Sequence, residues 1–542
     1  MARLLQIFGF LSVLIRGATL TFQSLTAGGV VFLLLVLPLS GQDRGVKDAC
    51  SRWIRRFAAA LAVTQFSYLL ANSLILTQSA DISFGDVAGA NFVLAGVLGI
   101  AASITIVALA SPQRAASRWL LLPAAAIIAS SVLTSHAFAR LEHRLPLAFF
   151  TALHQLATAA WLGGLPFLLI GLRRTESADF ARRLSERFSQ LAVVCVVVLG
   201  SAGAILSYAY VGSLEAFYST SYGAMVATKA LLFALLLSLG ALNFQLVRRG
   251  QASAILACLK RFGEAEIGVG ITVILTAASL TSLPPAADLV KDRVSAQEIF
   301  LRMTPHAPRL TSPAKMDLPQ DVYAAEQKAF QAGALSSLSY VPGQAGTRPN
   351  TPAEKGWSEY NHHWAGIIVL SVGLLALLAQ ASKISWARNW PLLFLGLSVF
   401  LFLRSDPEVW PLGPNGFWVT LADPEVLLHR IFAGLVVALA VFEWRVQTGR
   451  AASSNMRLVF PALVAASGAL LFTHSHALGN IKEEVLAELS HIPLAILAVM
   501  AGWSRWLELR LPTENRTRSL AARVWPVCIS LIGLLLLNYR EM

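Results

Sequence analysis

The chain has 542 residues, of which 56% are hydrophobic and only 13% charged. That balance excludes an ordinary soluble protein, and repeated apolar runs of roughly 20 residues call for helices that span a bilayer. A formal net charge of +13 would suit a nucleic-acid partner. The basic residues instead fall mostly in short segments between apolar runs, where Lys and Arg set membrane orientation, so no nucleic acid is expected.

Taken in order, the apolar runs predict an all-α, polytopic transmembrane bundle of about fourteen spans. Eight fall in residues 1–284. They are Leu11 to Leu39 (interrupted by Arg16), Phe57 to Leu76, Phe92 to Ala110, Trp119 to Phe138, Leu145 to Gly171, Leu191 to Val211, Ala224 to Val247 and Ile267 to Leu283. A polar segment, 285–360, is too hydrophilic for lipid and separates the two membrane halves. Six further runs follow in 361–542: Trp364 to Leu378, Pro391 to Leu403, Leu427 to Phe442, Val459 to Phe472, Ile492 to Trp506 and Val524 to Leu537. No short alternating strands suggest a closed barrel. Cys50, Cys195, Cys258 and Cys528 are scattered, which indicates neither a disulfide framework nor a thiolate metal site. The first apolar run is long and lacks a small-residue cleavage site, so a cleavable leader is not expected.

Orientation follows from the connections. Arg44, Lys47, Arg52, Arg55 and Arg56 follow the first run; Arg173, Arg174, Arg182, Arg183 and Arg187 follow the fifth; Arg248, Arg249, Lys260 and Arg261 follow the seventh. Intervening connections are poor in Lys and Arg, the pair Arg140 and Arg144 being the ambiguous case. The alternation places both termini and the polar segment on the non-cytoplasmic side. All ten histidines then fall on that side, although they took no part in drawing the map. Histidine is the commonest metal ligand and titrates near neutrality, so this bias is the main chemical signal in the chain.

The histidines form local groups. His136 and His154 lie on consecutive spans joined by a short connection, and two imidazoles suit a soft or borderline metal such as copper. His154 is the more telling, because a titratable group in an apolar span is costly and marks a functional site by default. In GWSEYNHHW, Glu359, His362 and His363 stand at helical spacings of three and four. Glu488 and His491 repeat the three-residue spacing; His429 opens one span, and His474 and His476 close another. The competing reading of all these groups is interhelical hydrogen bonding or helix capping. Lys229 is expected to snorkel outward, and Glu443 with Arg445 to form an interfacial pair. Neither Met clustering nor an ATP-binding motif is present.

ALHQLATAAWLGGLPFLL and the stretch from Arg187 to Phe244 resemble the copper-resistance D (CopD) family of bacterial inner-membrane proteins. The matching features are His154, Trp161, Gly163 and Gly164; Arg187 to Ser189; Tyr222, Gly223 and Lys229; and Asn243. The resemblance covers Trp119 to Leu283, and the first three spans weakly. It implies a multi-pass plasma-membrane protein that is not an enzyme and that moves or tolerates copper, with His136 and His154 as copper ligands. The full expected metal set is His136, His154, His362, His363, His429, His474, His476, His491 and Glu359, with copper as cargo, lipid as surroundings and a periplasmic copper-binding protein as a partner. Two other classes stay open: a b-type haem redox protein, whose axial ligands would be paired histidines, and a copper-delivery protein that transports nothing.

Overall fold

The computed structural model describes residues 8–40, 44–79, 83–110, 118–249, 253–289, 293–331, 351–381, 384–421, 424–450, 453, 455–473 and 482–541. The expected ligands His474 and His476 lie outside the described residues. Among those described, eleven helices are long and apolar enough to cross a membrane. Two shorter apolar helices, Arg118–Leu133 and Met456–Leu471, and the helix Pro424–Gln447 occupy the other three expected positions. The protein is an all-α, multi-pass membrane protein, and each predicted span corresponds to a helix.

By contacts the chain falls into two units, one of residues 11–217 with 222–290, the other built mainly on 291–542. The longer helices of the first unit are α1 (Phe8–Val31), α2 (Arg44–Ser79), α3 (Asn91–Leu109), α4 (Leu121–Leu133), α5 (Arg144–Thr158), α6 (Leu165–Arg174), α7 (Ala178–Val211), α8 (Ser221–Arg249) and α9 (Ser253–Leu280). Several outrun their apolar cores. Arg52, Arg55 and Arg56, read as a connection, continue α2, because a helix satisfies its own backbone as it leaves lipid and long cationic side chains reach the interface.

α5 and α6 form one continuous rod, joined by a π-helical turn at Ala159–Gly163. In this rod 72% of the most apolar window is buried, as it is in α9, against 17% for α7 and 22% for α2, so the rod and α9 lie at the centre of the unit. Gly163 allows that centrality: a Cβ there would fall 1.9 Å from the Ser24 carbonyl oxygen of α1. Small residues at such crossings replace the hydrophobic drive that lipid does not supply. Gly223 serves the same end at the start of α8, where a Cβ would lie 1.8 Å from the Ala216 carbonyl oxygen. The ambiguous connection after α4 is also explained. Arg140 pairs with Asp288 at 2.6 Å and Arg144 lies over the Phe138 ring at 3.7 Å, so both charges are answered locally.

The second unit has α10 (Ala296–Met303), α11 (Gln320–Gln331), α12 (Pro352–Ala381), α13 (Leu393–Arg404), α14 (Pro424–Gln447), α15 (Val459–Leu471), α16 (Lys482–Arg510) and α17 (Arg516–Leu537). α12 packs along α17 and α15 along α16. The core between them is aromatic: Trp390 stands 5.5 Å from Trp525 and 5.7 Å from Phe460, ring centre to ring centre. α10 opens with a capping box in which Ser295 and Glu298 satisfy each other's backbone N–H groups. Glu443 does not pair with Arg445. It is fully buried and accepts from Arg505 of α16 at 2.6 Å, because its helix turns position 443 inward and position 445 to the outside.

Candidate functional site

In the first unit, His136 opens a single helical turn, His136–Ala139. Its Nε2 donates to the Leu280 carbonyl at the end of α9 at 3.1 Å, which leaves Nδ1 as the basic nitrogen. Tyr210 and Tyr222 stand edge-on, each 6.2 Å away. His154 takes different neighbours. Its ring lies against Gly203 of α7, and its Nδ1 is buried without a hydrogen-bond partner. Beside it Gln155 accepts from Gln23 of α1 at 3.1 Å. Lys229, on α8, is half-buried.

Further along the same rod, Trp161 donates from Nε1 to Glu266 Oε1 at 3.0 Å, and Asn243 of α8 donates to Glu266 Oε2 at 2.7 Å. Sequence reasoning singled out Trp161 and Asn243 but missed the carboxylate that joins them. The available signal was an acid just before the apolar run from Ile267, set inside a long helix. Two residues earlier Glu264 is held by Arg173 at 2.7 Å and Arg261 at 2.5 Å.

In the second unit the structure gathers His362, His491 and Tyr539. His362 Nδ1 donates to its own helix at the Ser358 carbonyl, 2.8 Å away, and His491 Nδ1 to the Ala487 carbonyl at 2.7 Å. A carbonyl only accepts, so in both rings the proton sits on Nδ1 and Nε2 is the basic nitrogen. The ring centres are 5.9 Å apart, and Tyr539 stacks on His362 at 3.8 Å. Metal-binding histidines commonly fix their tautomer in this way. The Tyr539 hydroxyl donates to Glu541 at 2.6 Å, and Ser358 to the same oxygen at 3.2 Å. These donors, with Arg302, outweigh the burial that would raise Glu541 and hold its carboxyl below the usual range.

The neighbouring residues diverge. His363 accepts the Arg309 N–H on Nδ1 at 2.7 Å and donates Nε2–H to the Tyr539 carbonyl at 2.9 Å, so both its nitrogens are engaged. His306, 5.5 Å away, packs against it. Glu359 turns to Arg309 at 3.2 Å and to the Glu541 N–H at 3.2 Å rather than to a histidine. His429 hydrogen-bonds through Nδ1 to Asp406 Oδ1 at 2.7 Å. Among the described residues, no three His, Cys, Asp or Glu side chains stand close enough to hold a metal together.

Asp406 is buried, which by itself would raise its carboxyl. The His429 charge and hydrogen bond, Ser405 Oγ at 2.6 Å and the nearby Arg430 outweigh burial and hold it below the ordinary carboxylate range. An acid lowered in the folded state contributes stability above its unfolded value of about 3.9 and loses it as pH falls through the folded value. Acid unfolding of the purified chain should therefore steepen below about pH 4. Asp406→Asn should flatten that slope, and an unchanged slope would remove the pair from the account.

These helices and polar groups define a polytopic membrane protein with polar side chains buried inside its bundles. Residues 182–280, from α7 through α9, match the family model described as copper resistance protein D. The copper transport protein CutJ of Bacillus subtilis (strain 168) is 30% identical over 192 residues, covering 34% of this chain and 35% of that protein. The chain thus spans about a third of the length of the curated relative it matches. No solved structure matches. The CopD resemblance read from the residues is borne out over the matched region, which contains Tyr222, Gly223, Lys229, Asn243 and Glu266; His136, His154 and Trp161 precede it.

Proposed function

We propose that the protein transports copper across the bacterial plasma membrane, most simply inward, in the service of copper acquisition or tolerance. It is a transporter rather than an enzyme on this reading, with both termini and the polar segment in the periplasm. The observation that carries the proposal is the pair His362 and His491. Each ring is locked by its Nδ1–H to a backbone carbonyl, so that Nε2 is the ligating nitrogen. Their separation suits one ion between two imidazoles. The match to copper resistance protein D and the copper-transport name of the similar Bacillus protein agree with it. His136 and His154 would take the ion inside the first unit, His429 would assist near the mouth of the second, and a periplasmic copper-binding protein would supply it. His363 and Glu359 support the site through hydrogen bonds instead of binding the metal.

Intracellular copper, measured by mass spectrometry in cells with and without the gene, tests the transport reading. Copper content should rise with expression and fall back in the His136→Ala, His154→Ala double variant. Unchanged copper content with intact binding would mean delivery to a partner, and a Soret band in the purified protein would mean haem.

A further inference from the structure

Glu264 and Glu266 lie two residues apart on α9, yet the structure treats them in opposite ways. Glu264 faces two guanidinium groups, those of Arg173 and Arg261. Glu266 is 2% exposed and faces only neutral donors, Trp161 Nε1 and Asn243 Nδ2. An ionised carboxylate enclosed in a membrane bundle without a counter-charge carries a desolvation penalty of several kcal/mol, which protonation removes. The Asn243 amide can serve either form. Its Nδ2 bonds the carboxylate as drawn, while its Oδ1 is buried with no partner. Rotating the amide would present that oxygen to the O–H of the acid.

A cavity of about 290 Å³ adjoins this carboxyl, between α6, α7, α8 and α9. Leu168, Phe188, Val193, Leu237 and Phe244 make its walls apolar, and Glu266 with Asn243 and Trp161 is its polar end. It exceeds by far the ~10–15 Å³ a single water needs, so a proton acceptor or an ion has room beside the acid. The other charges are distributed along the bundle. Arg261 and Glu264 lie on α9 and Arg173 on α6, toward one end. Lys229 precedes Asn243 on α8 by fourteen residues, about 21 Å of helix, and His154 precedes Trp161 by seven, about 10 Å. α7 turns Ser185, Phe188 and Ser189 toward the cavity and no charge.

We propose that Glu266 is an intramembrane proton site, loaded at neutral pH and discharged when a metal cation enters the bundle. In that step the acid's O–H bond breaks, a water molecule entering the adjoining cavity takes the proton, and the proton passes from it to bulk solvent. The new carboxylate offsets one positive charge of the cation, Asn243 presents its N–H groups in place of its oxygen, and no electron moves. Naming the cation as copper rests on the function proposed above; the proton site itself does not.

Infrared spectroscopy of the full chain in lipid at neutral pH tests it. The wild type should show a protonated-carboxyl C=O band that is absent in Glu266→Gln and shifted in Glu266→Asp. Adding copper ion should remove the band and release about one proton per ion to an indicator dye, a release missing in Glu266→Gln. A difference spectrum between wild type and Glu266→Gln without that band overturns the proposal. If Glu266→Gln fails to fold, the Asp variant decides: a wild-type band that does not shift belongs to another acid and also overturns it. A band that shifts in the Asp variant and titrates with pH but ignores copper supports the proton site and counts against copper as the cation.

Discussion

Arg505→Met should destabilise the second unit by about 3–5 kcal/mol, the cost of breaking a buried ion pair by removing one partner. The guanidinium bridges two acids, Glu443 at 2.6 Å and Glu508 at 2.7 Å, and lies over the Trp525 ring at 5.1 Å. Glu508 would keep Trp525, which donates to it at 2.7 Å. Glu443 would keep only Gln447, also at 2.7 Å, while fully buried. The loss therefore falls on Glu443, and adding Glu443→Met should restore most of the stability, because replacing both members of a buried pair by apolar groups is often neutral or better. Thermal unfolding followed by circular dichroism in detergent reads both effects. If the single variant melts with the wild type, or the double variant is no better than the single, the pair does not hold α14 to α16.

The helices were readable because lipid leaves the backbone few options. An apolar run long enough to span must be helical, so length and composition settle element type almost alone. Partners across helices were not readable. Glu443 has a cation two positions away, yet it pairs with Arg505, 62 residues on. His429 finds Asp406 in a connection 23 residues earlier. Glu266 collects Trp161 from 105 residues earlier in the chain. Each choice is made by rotation of one helix against another, which the spacing within a single helix does not encode. The run Glu359, His362 and His363 shows the limit of such spacing. Consecutive residues on a helix point about 100° apart, so His362 meets His491 and Tyr539 while His363 is taken up by Arg309 and the Tyr539 carbonyl. The tail from Tyr539 to Glu541 gave no signal, since a short segment after the last span reads as a terminus and not as a wall of a site.

His362→Ala combined with His491→Ala should weaken copper binding by more than the 10–100-fold that loss of a supporting outer partner costs a metal site. The control is His363→Ala. That ring lies next in sequence and is fully buried, but both its nitrogens are committed to backbone groups, so its loss should lower thermal stability and leave copper affinity near that of the wild type. Titration calorimetry of the three proteins separates the outcomes. A large loss of affinity in the double variant alone places the ion on the two Nε2 atoms. Equal losses in His363→Ala would mean that the whole mouth of α12 is being disturbed. Full affinity in the double variant would move copper capture to the first unit, leaving His362, His491 and Tyr539 as a packing cluster that closes α12 against α16 and α17.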